Sequence, residues 1–104
     1  MKNMLNVMVL EYMNICAYLQ NHQAKISKGY ILVPYDELVE LLDRNNYMPS
    51  RNKLHYWREM KWIDADEFQT TRKVMLNGKR VRVVKIEFNL FQSMRLLQDM
   101  CVSE

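Results

Sequence analysis

A chain of 104 residues holds one domain with a single core and has no room for a second. Hydrophobic residues at 49% and charged residues at 26% lie near the soluble globular average, which argues against disorder, fibrous repeats and a collagen-like chain. The formal charge of +3 is too small to name a partner by itself, while nine methionines are more than this length ordinarily carries.

Residues 3–21 read as a helix, with Asn3, Asn6, Glu11, Asn14 and Asn21 gathered on one side. Leu5, Met8, Val9, Tyr12, Met13, Ile15, Cys16 and Leu19 fill the wide remainder. So broad an apolar sector predicts burial on more than one side, part of it against a second subunit. Residues 22–28 are polar, Gly29 breaks the pattern, and residues 30–33 form one short β-prone run stopped by Pro34. A second helix is expected over 35–44, where Asp36, Glu37 and Glu40 suit the positive end of its dipole and Leu38, Val39, Leu41 and Leu42 face inward.

Asn45 and Asn46 stop that helix, Tyr47-Met48-Pro49 make a turn, and Ser50 is the expected N-cap of a third helix over 50–62. Within it Leu54, Trp57 and the pair Met60-Lys61 follow the inner side, leaving Asn52, His55, Tyr56 and Glu59 outward. After an acidic link at 64–67, two β-prone stretches within 68–88 are split by Asn77-Gly78. Asn-Gly between such runs is a strong hairpin signal, because a tight turn of this kind needs positive φ at both residues. The turn sets the register: Leu76 opposite Lys79, Met75 opposite Arg80, Lys73 opposite Arg82 and Thr71 opposite Val84. Lys73, Arg80 and Arg82 then share one face, a costly arrangement unless an anion meets it. Asn89 is the expected cap of a last helix over 89–101, with Leu90, Phe91, Met94, Leu97 and Cys101 on its apolar side.

The charge is unevenly distributed. Residues 51–85 hold ten basic side chains against four acidic ones, and both flanks are mildly acidic. A basic middle between acidic ends is the asymmetry of a protein that turns one face to a polyanion. Cys16 and Cys101 are far apart and belong to no CxxC pair, which predicts free thiols in a reducing, cytoplasmic setting rather than a disulfide or zinc site. Polar residues interrupt the N-terminal apolar stretch too often for a signal sequence or a membrane span, so the native chain is expected to start at Met1.

The order helix, short strand, helix, turn, helix, two-stranded hairpin resembles the winged helix-turn-helix superfamily over residues 3–88. Its most specific segment is Ser50-Arg51-Asn52-Lys53-Leu54-His55-Tyr56-Trp57-Arg58-Glu59-Met60-Lys61-Trp62-Ile63, which looks like the recognition helix of that superfamily. The resemblance implies an α+β, mainly helical fold with a two-stranded wing over 68–88, and the helix over 89–101 is an addition to it. It also implies that Arg51, Asn52, His55 and Tyr56 reach base edges while Lys73, Arg80 and Arg82 form a basic wing. Lys61 stands where the superfamily often has glycine, and the acidic link lowers the phosphate contact expected there. Arg and Asn are residues that read guanine or adenine bidentately, and Lys53 and Arg58 join the set as expected phosphate contacts on the same helix.

Other chemistry finds no footing. His22 and His55 stand apart without a ligand or carboxylate at useful spacing, and with only Gly29 and Gly78 there is no phosphate loop, so neither catalysis, a metal nor a cofactor is expected. Three readings stay open. The favoured one is sequence-specific binding of duplex DNA by a homodimer paired through its terminal helices, as a regulator of transcription or of a mobile element. The second is a single-strand binder in which Tyr56 stacks on bases. The third is an interaction or inhibitor module whose Met-rich helices meet a protein partner.

Overall fold

The computed structural model of the chain describes residues 4–66 and 69–102. Within them the elements run α1 (Met4–Asn21), β1 (Lys25–Ser27), β2 (Tyr30–Pro34), α2 (Tyr35–Asp43), α3 (Ser50–Glu59), β3 (Arg72–Leu76), β4 (Lys79–Glu87) and α4 (Phe88–Val102). The strands form one antiparallel sheet in the order β1-β2-β4-β3, so the fold is α+β as expected. Asn3, the residues at 67 and 68, and the side chain of Cys101 lie outside what is described. No helix among the described residues is long and apolar enough to cross a membrane.

The core follows from strand alternation. Ile31 pairs with Ile86 and Val33 with Val84, so four buried aliphatic side chains occupy one face of the sheet. Helices α1 to α3 bring Tyr12, Ile15, Leu19, Leu38, Leu42, Leu54 and Trp57 into the same cluster. Tyr12 is its hub, with its ring 5.4 Å from Trp57 in an edge-on approach and 4.9 Å from Trp62. Its hydroxyl donates to the Glu87 carbonyl oxygen at 2.5 Å, where β4 turns into α4. Full burial of each large apolar side chain here is worth about 1.5–3 kcal/mol.

Several boundaries differ from the expected ones, each for a local reason. The polar stretch before Tyr30 contains a strand: Lys28 and Gly29 both take positive φ, 52° and 85°, and make a two-residue hairpin between β1 and β2. Gly29 is favoured twice over, by its φ of 85° and because a Cβ there would lie 3.0 Å from Asn89 Nδ2, and its carbonyl accepts the Phe88 N–H at 2.9 Å. Ser50 is the first helical residue rather than the cap. Pro49 holds the cap position, and the Ser50 hydroxyl bonds to Asp43. Helix α4 starts at Phe88, one residue before the expected cap, and the Asn89 N–H is met by Glu87 Oε1 at 3.3 Å.

Helix α3 stops at Glu59, three residues early. Lys61 takes φ 61°, the Trp62 N–H reaches the Trp57 carbonyl at 2.9 Å and the Lys61 N–H reaches that of Arg58 at 3.0 Å. This is a Schellman closure with lysine where glycine is usual. Met60 and Lys61, expected on the inner side, are accordingly exposed. Gln23, at φ 58°, closes α1 in the same way.

Candidate functional site

The β3–β4 hairpin has the register that Asn77-Gly78 dictates: Leu76 opposite Lys79, Met75 opposite Arg80 and Lys73 opposite Arg82, with φ of 53° and 78° at the two turn residues. Alternation then carries the inner face of the sheet outward along β4. Ile86 and Val84 face the helices, and the next two residues on that face, Arg82 and Arg80, project beyond the core with Lys73 alongside. One continuous face thus passes from aliphatic to cationic. Arg82 is fixed there, its Nε–H donating to Thr71 Oγ1 at 2.9 Å and its guanidinium lying 4.6 Å from the centre of the Tyr35 ring. Spacing in the sequence gives Tyr35 and Thr71 no role; Thr71 is buried beside the hairpin and Tyr35 begins α2.

Helix α3 stands across from this face. Between them runs a groove of about 880 Å³, lined on the helix side by Arg51, His55 and Arg58 and on the sheet side by Lys73 and Arg82, with Leu54 and Tyr35 between. Five of the nine residues expected to form the interface therefore meet around one concavity. Asn52 and Tyr56 lie over the crest of α3, where with His55, Arg58 and Glu59 they border a second depression of about 320 Å³. Tyr56 is 48% exposed, as its outward assignment requires. Arg80 is exposed on the hairpin beyond the groove.

The expected role of Lys53, one of the ten bases between 51 and 85, does not hold. Lys53 is 0% exposed and ion-paired with Glu11 at 2.8 Å, so it is no phosphate contact. Glu11, expected on the polar side of α1, is itself 5% exposed. The signal was available in the spacing: Lys53 lies four residues before Trp57, and Glu11 three after Met8 and four before Ile15, so both stand on inward stripes.

Acidic groups gather beside Arg72, which also lines the groove, and beside Lys85 on the opposite face of β4. Arg72 binds Asp66 at 3.0 Å and Asp64 at 3.7 Å, and Lys85 reaches Asp64 at 3.4 Å. The acidic link thus neutralises those two bases. Arg58 approaches Glu59 at 3.5 Å. Among the described residues Arg51, Lys73, Arg80 and Arg82 have no carboxylate partner. A concave surface with low-dielectric walls focuses the field of such cations and attracts an extended anion.

His22 does not line this groove; its Nδ1 is 2.8 Å from the Tyr18 carbonyl oxygen, and no group of three His, Cys, Asp or Glu among the described residues could hold a metal ion. Neither a protein-family model nor a curated protein matches the chain.

Proposed function

We propose that the chain is a winged helix-turn-helix domain that binds double-stranded DNA with sequence preference, as a cytoplasmic regulator of transcription or of a mobile element. In this reading it works as a homodimer and acts by binding, without catalysis or a cofactor. One observation carries it: cations of α3 and of the β3–β4 hairpin converge on a single groove while the neighbouring acids pair with Arg72 and Lys85. A helix the width of α3 fits the major groove, where Arg51 and Asn52 present the side chains suited to guanine and adenine edges. Lys73, Arg80 and Arg82 on the wing then neutralise phosphates of the adjoining backbone, and Arg58 and His55 border the channel between the two.

The test is a salt titration with a random-sequence duplex and the matching single strand. With roughly five phosphates neutralised, log K should fall with log salt at a slope near −4 to −5 on the duplex. No binding at low salt, or binding indifferent to salt, overturns the reading and leaves the apolar terminal helices as the working surface. The exposed Tyr56 beside His55 favours a second reading, in which bases of a single strand stack on the crest of α3. Tighter binding of the single strand than of the duplex at equal salt would establish it.

A further inference from the structure

The polar cluster beneath α3 has no part in contacting a ligand, yet it joins every element of the helix-turn-helix. Lys53 Nζ donates to Glu11 Oε2 at 2.8 Å, to the Leu42 carbonyl at 2.7 Å and to the Asn45 carbonyl, which uses all three ammonium protons. The Tyr47 ring lies with its centre 4.3 Å from the same nitrogen, and the Tyr47 hydroxyl donates to Glu11 Oε1 at 2.6 Å. Glu11 belongs to α1, Leu42 to the last turn of α2, Asn45 and Tyr47 to the turn, and Lys53 to α3.

The last carbonyls of α2 have no glycine after them to shape a closing turn; Arg44 continues in helical conformation. The Leu41 and Leu42 carbonyls accept only long backbone bonds, 3.4 Å from the Arg44 N–H and 3.3 Å from the Asn45 N–H, and a cation from the next helix adds a shorter one to Leu42 at that negative end. A buried ion pair is an inefficient way to stabilise a core, since apolar side chains of the same volume do as well or better, and its best-attested use is to fix register. Lys53 sits in the same helical turn as Arg51, Asn52 and His55. Holding its ammonium to α2 and α1 holds those side chains at one angle to the wing.

We propose that Lys53 is the positioning residue of the DNA interface: its buried ammonium ties α1 and the end of α2 to α3 and so sets how Arg51, Asn52 and His55 meet base edges. The inference rests on the DNA-binding reading above and predicts lost discrimination without a lost phosphate contact.

The double variant Glu11→Leu/Lys53→Met removes both charges at similar volume but takes a partner from the Leu42 and Asn45 carbonyls and from the Tyr47 hydroxyl, so it is expected to fold with a midpoint a few degrees below that of the wild type. It should bind a random-sequence duplex with an unchanged salt slope. Enrichment of the wild-type motif from a random duplex pool should fall roughly tenfold, the order of one misplaced base contact. Amide exchange over residues 44–56 should quicken by roughly tenfold while that of β4 stays the same. Equal enrichment of the same motif, with equal protection of those amides, overturns the proposal. A salt slope smaller by about one also overturns it, by making Lys53 a phosphate contact. Tyr47→Phe, which keeps both charges and removes one bond to Glu11, repeats the exchange test in a milder form should the double variant not fold. A wild type that does not bind the duplex pool defeats the DNA reading instead, and the exchange data still decide whether Lys53 holds the turn.

Discussion

Lys61 pays for the shape of the chain between α3 and the sheet. At φ 61° a side chain crowds its own carbonyl, which costs roughly 1–2 kcal/mol for a residue other than glycine. Glycine would relieve that strain, less roughly 0.5–1 kcal/mol for its greater freedom in the unfolded chain. Lys61→Gly is therefore expected to stabilise the fold by about 0.5–1 kcal/mol, read as a rise of a few degrees in the thermal midpoint. A lower midpoint would mean that the lysine side chain makes a compensating contact. Cys16 offers a second test at this scale. Burial pushes its thiol up to about 12 from an ordinary 9.0, partly offset by the hydrogen bond with Tyr12. Above pH 9 the unfolded chain loses that proton and the folded one keeps it, so stability, fully present below that pH, must fall as pH rises toward 12. Urea midpoints measured from neutral pH upward should decline from about pH 9. In Cys16→Ser they should stay flat until the phenols of Tyr12 and Tyr47, also raised by burial from 10.0, begin to contribute. A wild-type profile flat through this range would show that the thiol is not shielded as its packing implies.

The elements divide the proposed work between reading and holding. Arg80→Ala/Arg82→Ala on the hairpin should weaken binding to all duplexes about equally and reduce the salt slope by roughly two, because phosphate contacts carry no sequence information. Asn52→Ala on α3 should change the preferred sequence, at a cost of about 1–3 kcal/mol against the original site and with little effect on the slope. Normal binding by the hairpin variant would remove the wing from the interface. The same elements show what a sequence discloses. The β3–β4 register was legible because Asn-Gly is a local code for positive φ at both turn positions, and with it came the shared face of Lys73, Arg80 and Arg82. The first hairpin turns on Lys28-Gly29, and lysine has no such preference, so β1 was hidden among polar residues. The early end of α3 was hidden for the same reason at Lys61. Lys53 and Glu11 were misplaced because a charge is assigned to solvent by default, and only the packing of α1 against α3 puts the two within 2.8 Å. The groove was legible in its cations but not as a concavity, since Tyr35, Thr71 and Arg82 come together only when the hairpin folds back beside α2.

At the scale of the molecule, the terminal helices leave several large apolar side chains in solvent. Helix α4 joins the body through Phe88 and Phe91, which are buried, and meets α1 again where Arg95 Nη1 lies 3.5 Å from Gln20 Oε1. Beyond that contact Leu96 and Leu97 are each 62% exposed, and on α1 Leu10 is 53% and Met4 47% exposed. The body is 47 Å long against 27 and 24 Å in the other directions, so these side chains stand on an elongated particle. On α4 itself Leu96, Leu97 and Met100 are all 62% exposed, and a large apolar stretch left in solvent is uncommon on a monomer. A twofold pairing of α4 and α1 with a second copy would cover it with a self-complementary patch, and would present two copies of α3 to a palindromic site about one helical turn, roughly 34–36 Å, apart. Light scattering at micromolar concentration should therefore give twice the chain mass of 12.6 kDa. Leu96→Glu/Leu97→Glu, which places charge on an exposed stripe and leaves the core untouched, should return the mass to that of one chain without changing the circular dichroism spectrum. Its affinity for a palindrome should fall to that for a half-site, while the salt slope per chain is retained. A wild-type mass of 12.6 kDa at that concentration would defeat the dimer and leave Leu96 and Leu97 as a surface for a different protein.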